Sequence, residues 1–256
     1  MKTDIILLVD VFENFRDSCI ESYTLDPAHY YTLPGYTWDA MLKYTGVELD
    51  LLSDIDMLMF VERGIRGGIS QCSNRYAKAN NQYLNPENYN KDEEDKYIIY
   101  YDINNLCGWS MVQNLPHGDF KWEDDYDKFN DETDINNIKE DAKKGFILEV
   151  YLKYPDEIHD SQKDLPFCPE HRASLNKKEN YIIHYRYLQQ ALKNGVKLKK
   201  VHKVLKFRQC VWLKPYIELN TWLRTEARNN EFKKNLYKLM NNAVLNNQLQ
   251  LMVQIP

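Results

Sequence analysis

The chain has 256 residues, of which 43% are hydrophobic, 28% are charged and 19 are tyrosines. This composition allows a sizeable buried core and excludes a wholly disordered chain. No apolar run approaches the length that crosses a bilayer, and the first ten residues are too short and too acidic for an export signal, so we expect neither a membrane protein nor a secreted one. The five scattered cysteines favour reduced thiols in an intracellular protein, nuclear or cytoplasmic.

The net charge of −5 hides a strong asymmetry along the chain. Residues 171–256 contain 17 lysines and arginines against 4 aspartates and glutamates, a balance of +13, whereas residues 1–170 have a balance of −18. Such an asymmetry indicates a C-terminal part that faces a polyanion. A solvated basic face without a partner explains the same charges, and composition alone does not decide between the two.

Helices are predicted first along the chain. Apolar side chains recur at helical spacing across residues 4–23, with charges between them. Pro27, Pro34 and Gly35 then break the chain into loops. A second apolar helical stretch covers residues 38–62, and a turn near Gly46 divides it into two helices. A glycine-rich segment at 64–68 and a polar, asparagine-rich linker to residue 95 follow.

Strand patterns come next. Residues 96–102 are a β-branched and aromatic run that ends on Asp102, and residues 145–152 form a second run with partial alternation. The acidic stretch 119–141 between them is predicted to be a helical or loop insertion on the surface. Residues 180–185 and 199–207 are further strand candidates. From 216 to 245 the apolar spacing becomes helical, so the chain is predicted to have an α+β fold. The predicted buried stripe of this last stretch contains Ile217, Trp222, Leu223, Ala227, Phe232, Leu236, Leu239 and Met240.

The segment from Asp102 to Met111 carries the strongest chemical signal. An aspartate at the end of a buried strand, followed by an asparagine-rich turn into a helix, places a carboxylate at a sheet edge beside free backbone groups. Mg²⁺ prefers such oxygen ligands, and exposed backbone N–H groups can bind a triphosphate. An isolated aspartate in this position is more often a helix cap or a turn residue.

The string D-x-N-x-L-x-x-x-x-M after an apolar run resembles the first palm motif of protein-primed family B DNA polymerases. It is most similar to the motifs of Maverick/Polinton-type transposons and of related viral and organellar enzymes. The resemblance implies that Asp102 is one of two aspartates that bind two Mg²⁺ ions for template-directed nucleotidyl transfer. It also implies that the segment after Asp102 binds the incoming nucleotide, although a cysteine stands where the family usually has a tyrosine under the sugar. These nucleotide-binding residues are Ile103, Asn104, Asn105, Leu106 and Cys107.

A second string, at residues 234–245, resembles the fingers motif K-x-x-x-N-S-x-Y/F-G of the same family. On a helix, Lys234, Lys238 and Asn242 lie along one face at i, i+4 and i+8, with Leu236, Leu239 and Met240 towards the core. The resemblance implies that the two lysines bind the phosphates of the nucleotide and that Asn242 positions the nucleotide or the template base. A solvated helix face with lysines at this spacing is the ordinary alternative. The family pattern stops after Val244.

Two weaker strings follow the family's order. Residues 64–70 resemble the Y-x-G-G loop that joins exonuclease and polymerase domains, which implies contacts with DNA phosphates at Arg66, Gly67 and Gly68. The first residues resemble the third exonuclease motif, Y-x-x-x-D, and Asp4 matches its metal-binding aspartate. The first two exonuclease motifs do not occur in the sequence, so we expect no proofreading.

The resemblance divides the chain into five parts. They are the helical end of a 3′–5′ exonuclease domain at 1–63, a linker with the Y-x-G-G-like loop at 64–95, a partial palm with the first catalytic motif at 96–170, a basic segment at 171–215 and a truncated fingers helix at 216–256. The basic segment corresponds to a region that binds a terminal primer protein in this family, and Lys199, Lys200 and Lys203 are predicted to contact DNA. Template and primer DNA, dNTPs and a terminal primer protein are therefore the expected partners.

Two functional hypotheses follow. The first is a DNA-directed DNA polymerase that uses Mg²⁺ and a protein primer. The Y-x-D-T-D-S string that supplies the second carboxylate in this family does not occur in the sequence, so we expect this chain alone to be incomplete and inactive. The second hypothesis is a non-catalytic remnant of a mobile element that binds DNA or nucleotide.

A C-x-x-H string begins at Cys168, but no second ligand pair follows at zinc spacing, so no zinc site is expected.

Overall fold

The computed structural model of the protein describes residues 2–66, 75–162, 166–170 and 177–251. Helices at both ends of the chain flank an antiparallel sheet, which confirms the α+β prediction. No helix in the described ranges is long and apolar enough to cross a membrane. The helices are α1 (Lys2–Tyr23), α2 (Leu33–Thr45), α3 (Ile55–Gly64), α4 (Leu106–Met111), α5 (Glu132–Asn136), α6 (His159–Gln162), α7 (Tyr185–Lys193), α8 (Lys214–Glu226) and α9 (Glu231–Leu251). The strands are β1 (Leu115–Trp122), β2 (Lys144–Lys153), β3 (Lys178–His184) and β4 (Lys197–Cys210).

The first three helices lie close to the predicted stretches, and their ends follow from local capping. The predicted loop at Pro34 and Gly35 is wrong, because α2 begins at Leu33 and the fixed φ of Pro34 suits the first turn of a helix. Thr32 caps α2 by accepting a hydrogen bond from the backbone N–H of Gly35 at 3.3 Å. Gly46 ends the same helix with φ of 62°, a left-handed conformation that glycine adopts without steric cost. Asp54 then caps α3 by accepting from the backbone N–H of Asp56 at 2.7 Å. The predicted turn near Gly46 is therefore confirmed.

The sheet has four antiparallel strands in the order β1-β4-β2-β3. Its two central strands, β2 and β4, are rich in β-branched and large apolar residues, which pack well on a pleated surface. They lie where the sequence predicts strands at 145–152 and 199–207. β3 confirms the strand predicted at 180–185, except that Tyr185 already begins α7.

Each face of the sheet has its own apolar cover. On one face, Leu188 of α7 and Ile135 of α5 pack over Leu148 of β2 and Val204 of β4. On the other face, Phe60 and Val61 of α3 pack on Ile182 and Leu205. Helix α3 approaches β3 closely at its last residue, because a Cβ atom on Gly64 would lie only 2.7 Å from Cγ2 of Ile182. Because both of their faces are buried, β2 and β4 form the centre of the sheet and of the apolar layers that cover it.

A separate apolar cluster, which we call the helical cluster, joins α1, α2, α4, α8 and α9. Its buried members include Cys19, Tyr36, Met111, Tyr216 and Met240. It therefore draws on segments from the predicted exonuclease, palm and fingers parts of the chain. The boundaries between these parts stay predictions.

The strand predicted at 96–102 is wrong. The backbone of this segment pairs only through an isolated bridge between Lys96 and Asn80, and the side chains from Tyr97 to Tyr101 are 53–91% exposed. An apolar run forms a strand only when a neighbouring strand satisfies its backbone groups, and no segment in the described part of the chain pairs with residues 97–102. Asp102 therefore precedes a turn but does not end a strand.

Two other predictions need correction. The stretch 119–141 is not wholly an insertion, because its first residues complete β1, whose Pro116 and Gly118 weaken the strand signal in the sequence. The C-terminal helical stretch is two helices, separated at residues 227–230. Trp222, Phe232 and Leu239 of the predicted buried stripe are 57%, 40% and 51% exposed, so this part of the prediction is wrong. Trp222 lies five residues after the buried Ile217, a spacing that puts the two on different faces of α8.

Candidate functional site

The predicted catalytic aspartate, Asp102, is exposed and stands directly before the turn that leads into α4. Asn105 begins α4 in a left-handed conformation, with φ of 54° and ψ of 41°, which asparagine tolerates better than most residues. Its carbonyl oxygen accepts a hydrogen bond from the N–H of Trp109 at 2.9 Å. A Cβ atom on Gly108 would lie 2.3 Å from the side-chain nitrogen of Asn105, so a larger residue there would displace the Asn105 side chain.

The predicted nucleotide-binding residues of this segment lie on the surface. Ile103 and Leu106 are 68% and 52% exposed, and the thiol of Cys107 is free and exposed. The carbonyl oxygen of Cys107 accepts a hydrogen bond from Oγ of Ser110 at 2.8 Å. The segment is therefore accessible to a ligand along its whole length.

The predicted phosphate-binding residues lie on α9. Lys238 and Asn242 are exposed, and Lys234 is partly exposed with its Nζ 3.8 Å from a carboxylate oxygen of Glu231. Helix α9 packs against α4 and α8 within the helical cluster, where Met111 meets the buried face of α9. The structure thus brings together the two segments that carry the predicted nucleotide-binding residues, although they are separated by more than 120 positions in the sequence.

A cleft of about 410 Å³ opens between the turn after Asp102 and helix α8. The turn contributes Asn104 and Asn105, α4 contributes Trp109, and α8 contributes Thr221 and Trp222 among other residues. The sequence interpretation missed the α8 side of this cleft. Ile217, Thr221 and Thr225 recur every fourth residue on α8, but such spacing is common on surface helices and predicts no ligand.

The predicted DNA-binding lysines of β4 have different surroundings. Lys199 and Lys200 are exposed. The ammonium of Lys203 lies 3.7 Å from the ring centroid of Trp122, and Lys203 stands directly opposite Glu149 of β2. Arg63 reaches the same carboxylate at 3.9 Å. Lys199 and Lys200 are therefore more accessible cations than Lys203 is.

The remaining predicted residues lie apart from α4 and α9. Nη1 of Arg66 donates hydrogen bonds to the carbonyl oxygens of Ile182 at 2.8 Å and Gly64 at 3.0 Å, and its guanidinium stacks 3.9 Å from the ring centroid of Tyr181. Gly67 and Gly68 lie outside the described residues. Asp4 is exposed in the first turn of α1.

The described part of the chain contains no group of three or more His, Cys, Asp or Glu side chains that could hold a metal ion. Burial raises the pKa of the Cys168 thiol to about 12, which disfavours the thiolate that binds zinc. Burial also lowers the pKa of His184 to about 4, so its imidazole is neutral at neutral pH. The ring of His184 stacks on Phe207, and its Nδ1 accepts from the N–H of Arg186 at 3.4 Å. These residues are structural.

Comparison with known proteins gives a family and a fold. A family model described as DNA polymerase type B, organellar and viral, matches residues 1–245 of the chain. No curated protein sequence matches. The fold is similar to that of Phi29 DNA polymerase in a ternary complex with primer-template DNA and incoming nucleotide substrates, with a TM-score of 0.53 at 16% identity. The match covers 85% of this chain and 36% of that one.

Two further solved structures of Phi29 DNA polymerase match similarly, each at 16% identity. The post-translocation binary complex with primer-template DNA gives a TM-score of 0.54 and covers 86% of this chain. The orthorhombic crystal form gives 0.51 and covers 84%. This chain covers 36% of the polymerase chain in both. The likeness confirms the predicted combination of an antiparallel sheet with helical segments.

Proposed function

Because the chain belongs to the organellar and viral type B DNA polymerase family, we propose that it forms the first catalytic segment and the nucleotide-binding helix of a protein-primed, DNA-directed DNA polymerase. One observation carries this proposal: the turn after Asp102 and the exposed cations of α9 belong to elements that pack together in the helical cluster. This packing supports the proposal because it holds the helix that follows the turn and the helix that carries Lys238 in one cluster.

In this proposal, α9 binds the incoming nucleotide through its exposed face. The ammonium of Lys238 attracts the triphosphate, and the amide of Asn242, one turn further on, hydrogen-bonds the nucleotide or the template base. The turn at 103–107 lines the other side of the nucleotide. Lys234 contributes less than Lys238, because Glu231 already lies beside its ammonium.

The residues present do not by themselves form a Mg²⁺ site. Asp102 offers one carboxylate, whereas two-metal phosphoryl transfer uses several oxygen ligands shared between the ions. No other carboxylate in the described ranges completes a group of three around it. Nucleotidyl transfer therefore requires at least one further carboxylate beside Asp102.

DNA and primer protein are the proposed macromolecular partners. The basic strand β4 presents Lys199 and Lys200 to solvent, and these two cations are suited to the phosphate backbone of DNA. Arg66 keeps donor groups beyond its two backbone contacts and is a further DNA contact in this proposal. The four cysteines in the described part of the chain are all free, which supports an intracellular location, nuclear or cytoplasmic.

A fluorescent dNTP titration in Mg²⁺ buffer tests the nucleotide site directly. Replacing Lys238 by alanine removes a charge-assisted contact worth about 1.5–3 kcal/mol, so the dissociation constant should rise at least tenfold. Asn242→Ala should weaken binding less. Lys214→Ala is the matched control, since this lysine of α8 is paired with Glu218 at 3.6 Å and should not alter affinity. Equal effects of Lys238→Ala and Lys214→Ala would contradict the proposal.

The second candidate function is binding without catalysis, as expected for a mobile-element remnant. The exposed cations of α9 and β4 favour it, because they can bind anionic ligands without a metal ion. It shares the nucleotide and DNA contacts of the first proposal and differs only in chemistry. Supplying the chain in trans with a polypeptide that carries a Y-x-D-T-D-S motif separates the two: primer extension that depends on Asp102 supports the enzyme, and its absence despite binding of both ligands supports the remnant.

A further inference from the structure

The end of α1 is attached to α9 by polar contacts that the predicted nucleotide site does not use. Nζ of Lys233 donates to a carboxylate oxygen of Glu21 at 3.2 Å. The hydroxyls of Ser22 and Tyr237 share a hydrogen bond of 3.1 Å. Two consecutive residues of α1 thus bind two residues one turn apart on α9.

The next residue of α1 reaches α9 through α8. The phenol of Tyr23 donates to Oδ1 of Asn220 at 2.6 Å, and Nδ2 of Asn220 donates to Oδ1 of Asn241 at 2.8 Å. These three side chains are 4%, 0% and 7% exposed, so the whole chain of hydrogen bonds is buried. Hydrogen bonds away from water are directional and costly to break, because a partner left alone keeps its desolvation penalty.

The three attached residues of α9 form one stripe. Lys233, Tyr237 and Asn241 stand at i, i+4 and i+8, and each immediately precedes one of the predicted nucleotide-binding residues at 234, 238 and 242. Successive residues of an α-helix are about 100° apart, so the attached stripe and the nucleotide-binding stripe keep a fixed angle around α9. Fixing the first stripe therefore fixes the direction of the second.

We infer that Tyr23, Asn220 and Asn241 are positioning residues that set the rotation of α9 and thereby direct Lys238 and Asn242 towards the nucleotide. The inference rests on the proposed function for its consequence, but the rotation itself is a property of the fold. The apolar contacts of α9, such as Leu236 and Met240, determine which face of the helix is buried. The directional hydrogen bonds restrict the rotation that remains within that buried face.

The test replaces the whole hydrogen-bonded chain by apolar side chains, in the variant Tyr23→Phe/Asn220→Leu/Asn241→Leu. The hydrogen-bonding groups of these three side chains are removed together, so none of the three leaves another of them without a partner. Asn220 also lies beside the buried hydroxyl of Tyr216, so the melting temperature should fall only slightly. The dNTP dissociation constant should nevertheless rise about tenfold, since small misplacements of a positioned group have effects of this size or more. The control is Tyr185→Phe/Gln209→Leu, which removes a buried hydrogen bond of 2.8 Å in the sheet and should leave affinity unchanged.

A second measurement does not depend on nucleotide binding. Spin labels on Lys238→Cys and Lys43→Cys, with Cys72, Cys107 and Cys210 replaced by serine, report the distance between the surface of α9 and helix α2, against which α9 packs. The triple variant should broaden or shift this distance distribution, and the sheet control should not. An unchanged distribution overturns the inference. If the wild-type chain binds no dNTP, the proposed function fails, and the distance measurement alone then decides whether α9 is positioned in this way.

Discussion

Lys199 and Lys200, two of the exposed lysines of β4, give the sharpest test of DNA binding. Each phosphate contact on duplex DNA contributes about 0.9 to the slope of log affinity against log salt. The variant Lys199→Ala/Lys200→Ala should therefore lower that slope by about 1.8, so that a fourfold rise in salt weakens its binding about tenfold less than it weakens the wild type. The measurement is fluorescence anisotropy with a labelled primer-template duplex at several salt concentrations.

Lys203 provides an internal contrast within the same strand. Its ammonium lies over Trp122 and opposite Glu149, so Lys203→Ala should leave the salt slope nearly unchanged and lower stability by the cation–π contribution, about 0.5–1 kcal/mol. The variant Lys91→Ala/Lys139→Ala removes two exposed lysines outside β4 and controls for the change in net charge. An unchanged slope in the Lys199/Lys200 variant, or an equal drop in the control, would refute the assignment of this surface.

Three further outcomes are expected. Gly64→Ala should lower the free energy of unfolding, measured by urea denaturation, by about 1 kcal/mol, because overpacking against Ile182 costs about 1–3 kcal/mol and the higher helix propensity of alanine offsets about 1 kcal/mol. Gly35→Ala is the control and should be neutral or stabilising, because its Cβ atom would meet nothing closer than 3.4 Å. Equal stability of the two variants would show the reasoning to be wrong. Burial lowers the pKa of His184 from about 6.5 in the unfolded chain to about 4 in the folded one. The contribution of the neutral ring to stability is therefore complete above about pH 6.5 and is lost as the pH falls towards 4. His184→Gln should flatten the dependence of the melting temperature on pH over that window, and an unaltered profile would contradict this prediction. The chain alone should give no primer extension with Mg²⁺ or Mn²⁺, and extension that Asp102→Ala abolishes would contradict the incomplete metal site.

Local signals in the sequence predict much of the fold. The break at Gly46 follows from a left-handed conformation that glycine favours, and β2 follows from a β-branched run that pairs on both sides. The placement of Lys238 and Asn242 on an exposed helix face also follows from spacing alone. At Gly46 and on α9 one short stretch of residues contains the physical reason, whereas β2 also depends on its pairing with β3 and β4.

The errors arise where the outcome depends on residues far away in the sequence. The run at 97–101 has the side chains of a strand, yet no described segment pairs with it. β1 forms in spite of Pro116 and Gly118, because β4 supplies its hydrogen bonds and Asp50 accepts from the N–H of Asp119 at 2.7 Å. The cleft beside α8 and the buried Tyr23 chain likewise depend on contacts between distant helices, which spacing within one helix does not reveal.

The division into two packed halves has a functional consequence. The elements proposed to bind nucleotide, α4 and α9, belong to the helical cluster, whereas the proposed DNA-binding lysines stand on a sheet with separate apolar covers on its two faces. Distant sites without shared partners usually respond to substitution independently. A change in the apolar cover of the sheet, such as Leu188→Ala on α7, should therefore weaken DNA binding before it alters dNTP affinity, while Met240→Ala should do the reverse. If both changes lowered both affinities in parallel, the two halves would act as one cooperative unit, and nucleotide and DNA binding would have to be treated as coupled properties of a single core.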